Sequence, residues 1–221
     1  MPPLPLICSS IGAVALAFAG CATAPVSQEP ANLDPLKQQI RSYVDGGQYQ
    51  RDIEAVAARA RAWVEGRAAK GGVKLTMIFD LDETLISNLP LFQRQDFGFV
   101  RSEWGRWLEE AKAPPIESVR EVYRAARRNG VDVIYITGRP ESARAGTERN
   151  LLAIDCADHV ALICKPNDEK GPSAAYKTAA RQRLAAEGRT IIANIGDQES
   201  DLVGGFAERT FKLPNPFYLA Q

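Results

Sequence analysis

The sequence predicts an α/β fold: a Rossmann-like parallel sheet with helices on both faces. Three observations carry this prediction. From Val73 onward, short apolar runs alternate with longer stretches of helical periodicity, the pattern of a parallel sheet whose crossovers cover both faces. The first run, Met77-Ile78-Phe79, drives straight into Asp80-Leu81-Asp82, and an interior strand that ends on two carboxylates aims them at something. The second and fourth runs end on Thr137-Gly138-Arg139 and on Gly196-Asp197 through Asp201. Polar groups therefore gather beyond the carboxyl ends of the strands, where open parallel sheets bind ligands.

Taken in order, residues 1–20 read as an export signal, with apolar stretches over 4–7 and 11–20 and small residues before Cys21. The segment is too short and broken to span a bilayer. Phe18-Ala19-Gly20-Cys21 resembles a bacterial lipobox, so Cys21 is expected to carry lipid and hold the protein at the cell envelope, with simple secretion as the alternative. With Ala22 rather than Asp next, the expected station is the outer membrane facing the periplasm if the host has two membranes. Residues 21–35 form a polar tether, and 36–221 make one domain. An N-terminal helical extension over 33–67 places Ile53, Val56, Ala57, Ala60, Trp63 and Val64 on one face and stops at Gly71-Gly72.

The first strand spans 73–80. An aromatic insertion follows as far as Pro114, containing Phe92, Phe97, Phe99, Trp104 and Trp107. It is expected to form local core ahead of a substrate wall, both readings being open. Helix 117–129, strand 131–136, helix 140–153, strand 160–163, helix 173–187, strand 190–195, helix 199–206 and strand 209–212 complete the pattern. Cys156 and Cys164 fall at opposite ends of the third strand, beyond disulfide reach, so no bridge is expected.

At 221 residues the chain holds a core large enough to stand without disulfides. Lys plus Arg equals Asp plus Glu, 27 each, so no basic field favours a nucleic-acid polymer and no acidic field repels a phosphorylated substrate. Nothing in the composition specifies an oligomeric state.

Side chains 80 and 82 share a side if the strand continues and part if the chain turns there. Either way Asp80, Asp82, Asp197 and Asp201 share one sheet edge with the Thr137 hydroxyl and the Gly138 amide, which suits an anion if a helix begins there. A dense carboxylate set of this kind needs a hard cation, and Mg²⁺ fits, since it takes one or two carboxylates plus water and substrate phosphate. Lys177, one helix before the fourth strand, and Lys165, just past the third, are the candidates for the remaining positive charge.

Asp80-x-Asp82-x-Thr84, Thr137, Lys177 and Gly196-Asp197-x-x-x-Asp201 resemble, in order and spacing, the motifs of the haloacid dehalogenase (HAD) superfamily phosphatases. The runs 79–90, Tyr176-Lys177, 194–202 and 211–216 narrow the resemblance to its acid phosphatase subfamily, which includes bacterial class C enzymes, plant acid phosphatases and vegetative storage proteins. The resemblance spans 45–220 and implies a Mg²⁺-dependent phosphomonoester hydrolase. On it, Asp80 is the nucleophile that forms an aspartyl-phosphate, and Asp82 is the general acid and base whose backbone carbonyl joins the metal shell. Asp80 and Asp197 bind Mg²⁺ through carboxylates, and Asp201 does so through water or by orienting other ligands. Thr137, Gly138 and Lys177, preferred here over Lys165, hold the phosphoryl oxygens. The substrate is a small phosphomonoester. The alternatives are a non-catalytic storage or binding relative and a phosphotransferase to an alcohol acceptor. Arg139 is expected to be a helix-start ion pair, Glu83 to face solvent or pair locally, and Ser87-Asn88 to cap or turn.

Other chemistries fall away. His159 is the only histidine and starts the third strand, at the far edge, which removes His-dependent hydrolysis. Leu162 and Lys170 stand where a cysteine phosphatase needs arginine after Cys156 and Cys164. Gly171 through Thr178 approximates a phosphate-cradling loop, but Tyr176 replaces its glycine and Pro172 removes an amide.

Overall fold

Parallel pairing in the computed structural model, which describes residues 30–220, follows from strands too apolar to face water on either side. The expected signal, Cys21 and most of the tether lie outside the described residues. β1 (Leu75–Phe79) is buried throughout. It pairs with β2 (Asp132–Pro140) on one side and β4 (Thr190–Gly196) on the other; β3 (Ala161–Lys165) and β5 (Thr210–Lys212) complete the five-stranded order β3-β2-β1-β4-β5. The chain therefore reverses its direction of sheet growth between β1 and β4, at the centre.

Alternation along the strands sorts the core into two faces. Met77, Phe79, Val133, Tyr135 and Ile195 point to one side. There they meet α2 (Gln48–Ala68), through Ile53, Val56, Ala57, Ala60 and Val64, and α5 (Glu117–Arg128), through Val119, Val122, Tyr123 and Ala126. Ile78, Ile134, Ile136 and Ile191 point to the other side, against Ala180 and Leu184 of α7 (Ser173–Ala186). A bulge in β4 puts Ile192 opposite no β1 residue. Its carbonyl is taken by the Trp63 indole N–H at 2.8 Å, which satisfies a group the ladder cannot.

The helical extension is two helices, α1 (Leu33–Asp45) and α2, so the last residues of the expected tether are helical. The aromatic insertion also contains helices, α3 (Leu89–Arg94) and α4 (Arg101–Glu110). A Cβ on Gly146 of α6 (Arg144–Ala153) would sit 2.4 Å from the Leu108 carbonyl, so only glycine lets α6 approach α4 this closely. β2 runs on past Thr137 to Pro140, and a 3₁₀ turn, Glu141–Ala143, precedes α6. Thr137-Gly138 therefore does not open a helix, contrary to the sequence expectation. The expected helix 199–206 is the short α8, Glu199–Leu202. It stops early because the Arg181 guanidinium draws the Asp201, Val203 and Gly205 carbonyls toward itself. Cys156 and Cys164 are free and buried, as expected.

Candidate active site

Register brings the site together. Phe79 pairs with Tyr135 on β2 and with Ile195 on β4, so Asp80, Thr137 and Asp197 emerge side by side at the carboxyl edge. Asp80 donates its N–H to the Ile195 carbonyl at 3.0 Å, and then the chain turns. The Leu85 and Ile86 N–H groups both donate to the Leu81 carbonyl, and Glu83 takes a left-handed φ of 54°. The turn parts the two acids. Asp80 faces Lys177, and Asp82 faces Arg139.

Lys177, on α7, donates to Oδ1 of Asp80 at 2.5 Å and to Oδ1 of Asp201 at 2.5 Å, with all three side chains buried. Burial and then those two carboxylates act on the ammonium in opposite senses; the carboxylates win and hold it charged. Burial pushes the Asp80 carboxyl well above its usual range, Lys177 opposes this, and the charges of Asp201, Asp197 and Asp82 add to the rise. Asp197 is pushed up to about 6, chiefly by burial and then by Asp201. Asp80, Asp197 and Asp201 each offer a carboxylate oxygen within 4.8 Å of the others. Three buried acids against one lysine leave an uncompensated negative charge in an all-oxygen donor set. That fits a hard divalent cation such as Mg²⁺.

Gly196 is required here, because a Cβ on it would lie 2.4 Å from Asp201 Oδ2. Gln198 and Asp201 form a capping box at the start of α8, which turns both acids of this loop inward. Asn194 holds the Asp201 carbonyl through its side-chain amide at 2.8 Å.

Arg139 is an ion pair, but within the site. Its guanidinium grips Asp82 through Nε at 3.0 Å and Nη2 at 2.7 Å and is itself buried. Burial raises the Asp82 carboxyl, yet Arg139 and the Asn88 amide outweigh it and the net shift is downward. Glu83 is fully buried, and of its two expected outcomes it takes the local pairing, with Asn88. It accepts from the Asn88 N–H at 2.6 Å and the Tyr218 hydroxyl at 3.1 Å. Asn88 is the residue preceding α3 and also accepts from the Trp107 indole. Thr137 is fully buried, its hydroxyl accepting from the Arg139 N–H at 3.1 Å. Gly138 and Arg139, but not Thr137, line the cavity. Lys165 points elsewhere, donating to the Gly171 carbonyl.

The cavity above the acids measures about 350 Å³. Asp80, Asp82, Lys177, Asp197 and Asp201 line it together with Phe92, Phe97, Phe99, Trp104, Phe217 and Tyr218. The insertion thus divides: Trp107 is core, while Phe97, Phe99 and Trp104 form wall. Sequence reasoning missed Arg139, Asn88, Glu83, Gln198, Asn215, Phe217 and Tyr218 as parts of the site. The last three follow β5, and an Asn-Pro step with an aromatic pair at the binding edge of the sheet was the available signal.

The family model described as "HAD superfamily, subfamily IIIB (Acid phosphatase)" matches residues 11–221. Acid phosphatase 1 of Solanum lycopersicum is 34% identical over 210 residues, covering 90% of this chain and 82% of the relative. Vegetative storage protein 1 of Arabidopsis thaliana is 33% identical over 196 residues, covering 85% and 73%. The crystal structure of the class C acid phosphatase from Bacillus anthracis with tungstate bound aligns with a TM-score of 0.66 at 20% identity, over 83% of this chain and 86% of that one. At that identity it supports the fold.

Proposed function

The chain belongs to the acid phosphatases of HAD subfamily IIIB, phosphomonoester hydrolases, and from that premise we propose that it works with Mg²⁺ and through a phosphoryl group carried transiently on Asp80. The observation that carries this reading is the convergence of Asp80, Asp197, Asp201 and Lys177 at the sheet's switch point. Asp80 and Asp197 would hold the cation through their carboxylates, Asp201 would act through water or by orienting them, and the Asp82 carbonyl would be a further ligand. Bound Mg²⁺ offsets the charge of the phosphate and of the acids around it.

Asp80 attacks phosphorus, and the bond from phosphorus to the ester oxygen breaks. Asp82 gives its proton to the departing alkoxide, then takes one from the water that attacks phosphorus and frees Asp80. Lys177 and the Gly138 amide bind the phosphoryl oxygens, while Thr137 stays beneath the cavity with its hydroxyl on the Arg139 N–H. Because Arg139 holds the Asp82 carboxyl low, the protonated form needed by poor leaving groups is populated more fully as pH falls, which suits an acid phosphatase. The aromatic wall fits an ester whose alcohol part is flat and apolar.

Likeness to a storage protein carries the second reading, a non-catalytic role, against which stands the presence of Asp80 beside its lysine. A phosphotransferase would run the same first step with an alcohol in place of water. We also assign the protein to the cell envelope, through lipid on Cys21. Among the described residues no helix is long and apolar enough to cross a membrane. Phosphate release from nitrophenyl phosphate should stop in excess chelator and resume with Mg²⁺. Full activity in chelator would overturn the metal assignment, and no activity under any condition would favour the storage reading.

A further inference from the structure

One oxygen of Asp197 is already spoken for. Its Oδ2 accepts from Asn215 Nδ2 at 2.6 Å and from Gln198 Nε2 at 2.7 Å, and two N–H donors fill the two acceptor positions of a carboxylate oxygen. Oδ1 meets the Thr84 hydroxyl at 3.3 Å and is the oxygen left to face a cation. The donors come from different parts of the chain. Gln198 is the next residue, whereas Asn215 arrives on the segment that follows β5.

That segment is fastened to the site along its length. The Leu213 N–H donates to the Gly196 carbonyl at 2.9 Å, extending the β5 pairing. Gln198 Oε1 accepts from the Ala220 N–H at 3.2 Å, and the Tyr218 hydroxyl donates to Glu83 at 3.1 Å. Phe217 packs edge-on against Tyr49 and stacks on Phe97, with ring centroids 5.2 and 5.8 Å away. Asn215 serves both ends of this arrangement. Its Oδ1 accepts from the Phe217 N–H at 2.8 Å, an Asx turn that shapes the segment, while its Nδ2 reaches Asp197.

We propose that residues 213–220 are part of the cation site and that Asn215 is a positioning residue, holding Asp197 with Oδ1 toward the metal. The proposal rests on the Mg²⁺ reading above. Without the Asn215 amide, the Asp197 carboxylate loses one of the two donors that fix its rotation, so it must be ordered at the moment of binding. Partners of this kind typically account for about 10–100-fold in metal affinity.

The test uses the full chain stripped of metal, with Mn²⁺ binding followed by electron paramagnetic resonance and Mg²⁺ by competition. Asn215→Ala removes both roles of the side chain. Asn215→Ser keeps a turn acceptor, as Ser mimics an Asx turn, but is too short to reach Asp197. Both variants should bind Mn²⁺ and Mg²⁺ about tenfold more weakly or worse, with near-ultraviolet circular dichroism of the metal-free protein unchanged for Asn215→Ser. Unchanged affinity in a natively folded Asn215→Ser would overturn the role of Asn215 while leaving the three-carboxylate site standing. Wild type that bound neither ion would overturn both. Should the variants fail to fold, wild type decides: the Asn215 side-chain amide should exchange slowly and shift in NMR spectra on Mg²⁺ addition, and a fast-exchanging, unshifted amide would refute the proposal.

Discussion

Replacing Lys177 by Met keeps an unbranched apolar stem and removes the one ammonium lying 2.5 Å from both Asp80 and Asp201. The side chains of the three residues are 6%, 7% and 3% exposed, so the loss is felt in a dry site. Breaking a buried pair by removing one partner costs about 3–5 kcal/mol, because a charge is left uncompensated. The sign with pH follows from Asp80, whose carboxyl already lies well above its usual 3.8, with burial as the largest cause. Without Lys177 the folded state holds its proton still more firmly, while the unfolded chain releases it near the ordinary value. The deficit is therefore small near pH 5 and grows as pH rises. Urea unfolding in chelator should show a loss of about 3–5 kcal/mol near pH 8, clearly less near pH 5, and recovery in saturating Mg²⁺ as the cation replaces the missing charge. Turnover should fall by about 10²–10³, the usual result of deleting one electrostatic donor. A loss below about 1 kcal/mol near pH 8, the range of an exposed pair, would refute Lys177 as the buried counter-ion.

Glu83 is pushed up to about 8, first by burial and then by the Asp82 charge, with Asn88 opposing. Between its ordinary 4.5 and about 8 the folded state keeps a proton that the unfolded chain has lost, so stability should fall as pH rises through that window. Saturating Mg²⁺ keeps the acids of the cation site ionised, which isolates the Glu83 contribution. Under that condition Glu83→Gln should flatten the dependence of melting temperature on pH, and an unchanged slope would assign it elsewhere. For anchoring, Cys21→Ser should leave the protein unprocessed or release it from membrane fractions, and unchanged membrane association would contradict lipidation.

Strand ends were legible in the sequence because the last apolar residue of each run is followed at once by chemistry. Phe79 precedes Asp80, Ile136 precedes Thr137, and Ile195 precedes Gly196-Asp197. Parallel register then does the rest, since Phe79 lies beside Tyr135 and Ile195. The grip of Arg139 on Asp82 was not legible, for the partners stand 57 residues apart and a lone arginine after Thr-Gly has no local signature of its target. Glu83 pairs locally with Asn88, one of its two expected outcomes, and only its burial was hidden. A charged residue in a turn is ordinarily solvated, but the left-handed turn at this position swings it inward onto Asn88 and Tyr218. The C-terminal segment was hidden because Asn215, Phe217 and Tyr218 follow the final strand, where a chain commonly trails off. Here two aromatic rings and several polar bonds back to the site hold it down instead.

Division of labour between Asp80 and Asp82 is the centre of the account, and trapping the phosphoenzyme tests it most directly. In Asp82→Asn the first step with nitrophenyl phosphate needs no proton, since the phenolate departs unaided, while the second step has lost its base. Rapid mixing should therefore release a burst of nitrophenol equal to the enzyme present, after which turnover stalls. Quenched at that point, with labelled phosphate in the ester, the protein should carry one phosphoryl group that maps to the peptide containing Asp80; Asp80→Asn should carry none. A label on another residue, or equal first-step losses on nitrophenyl and alkyl esters with no burst, would contradict the assignment of Asp80 as nucleophile and Asp82 as its acid and base.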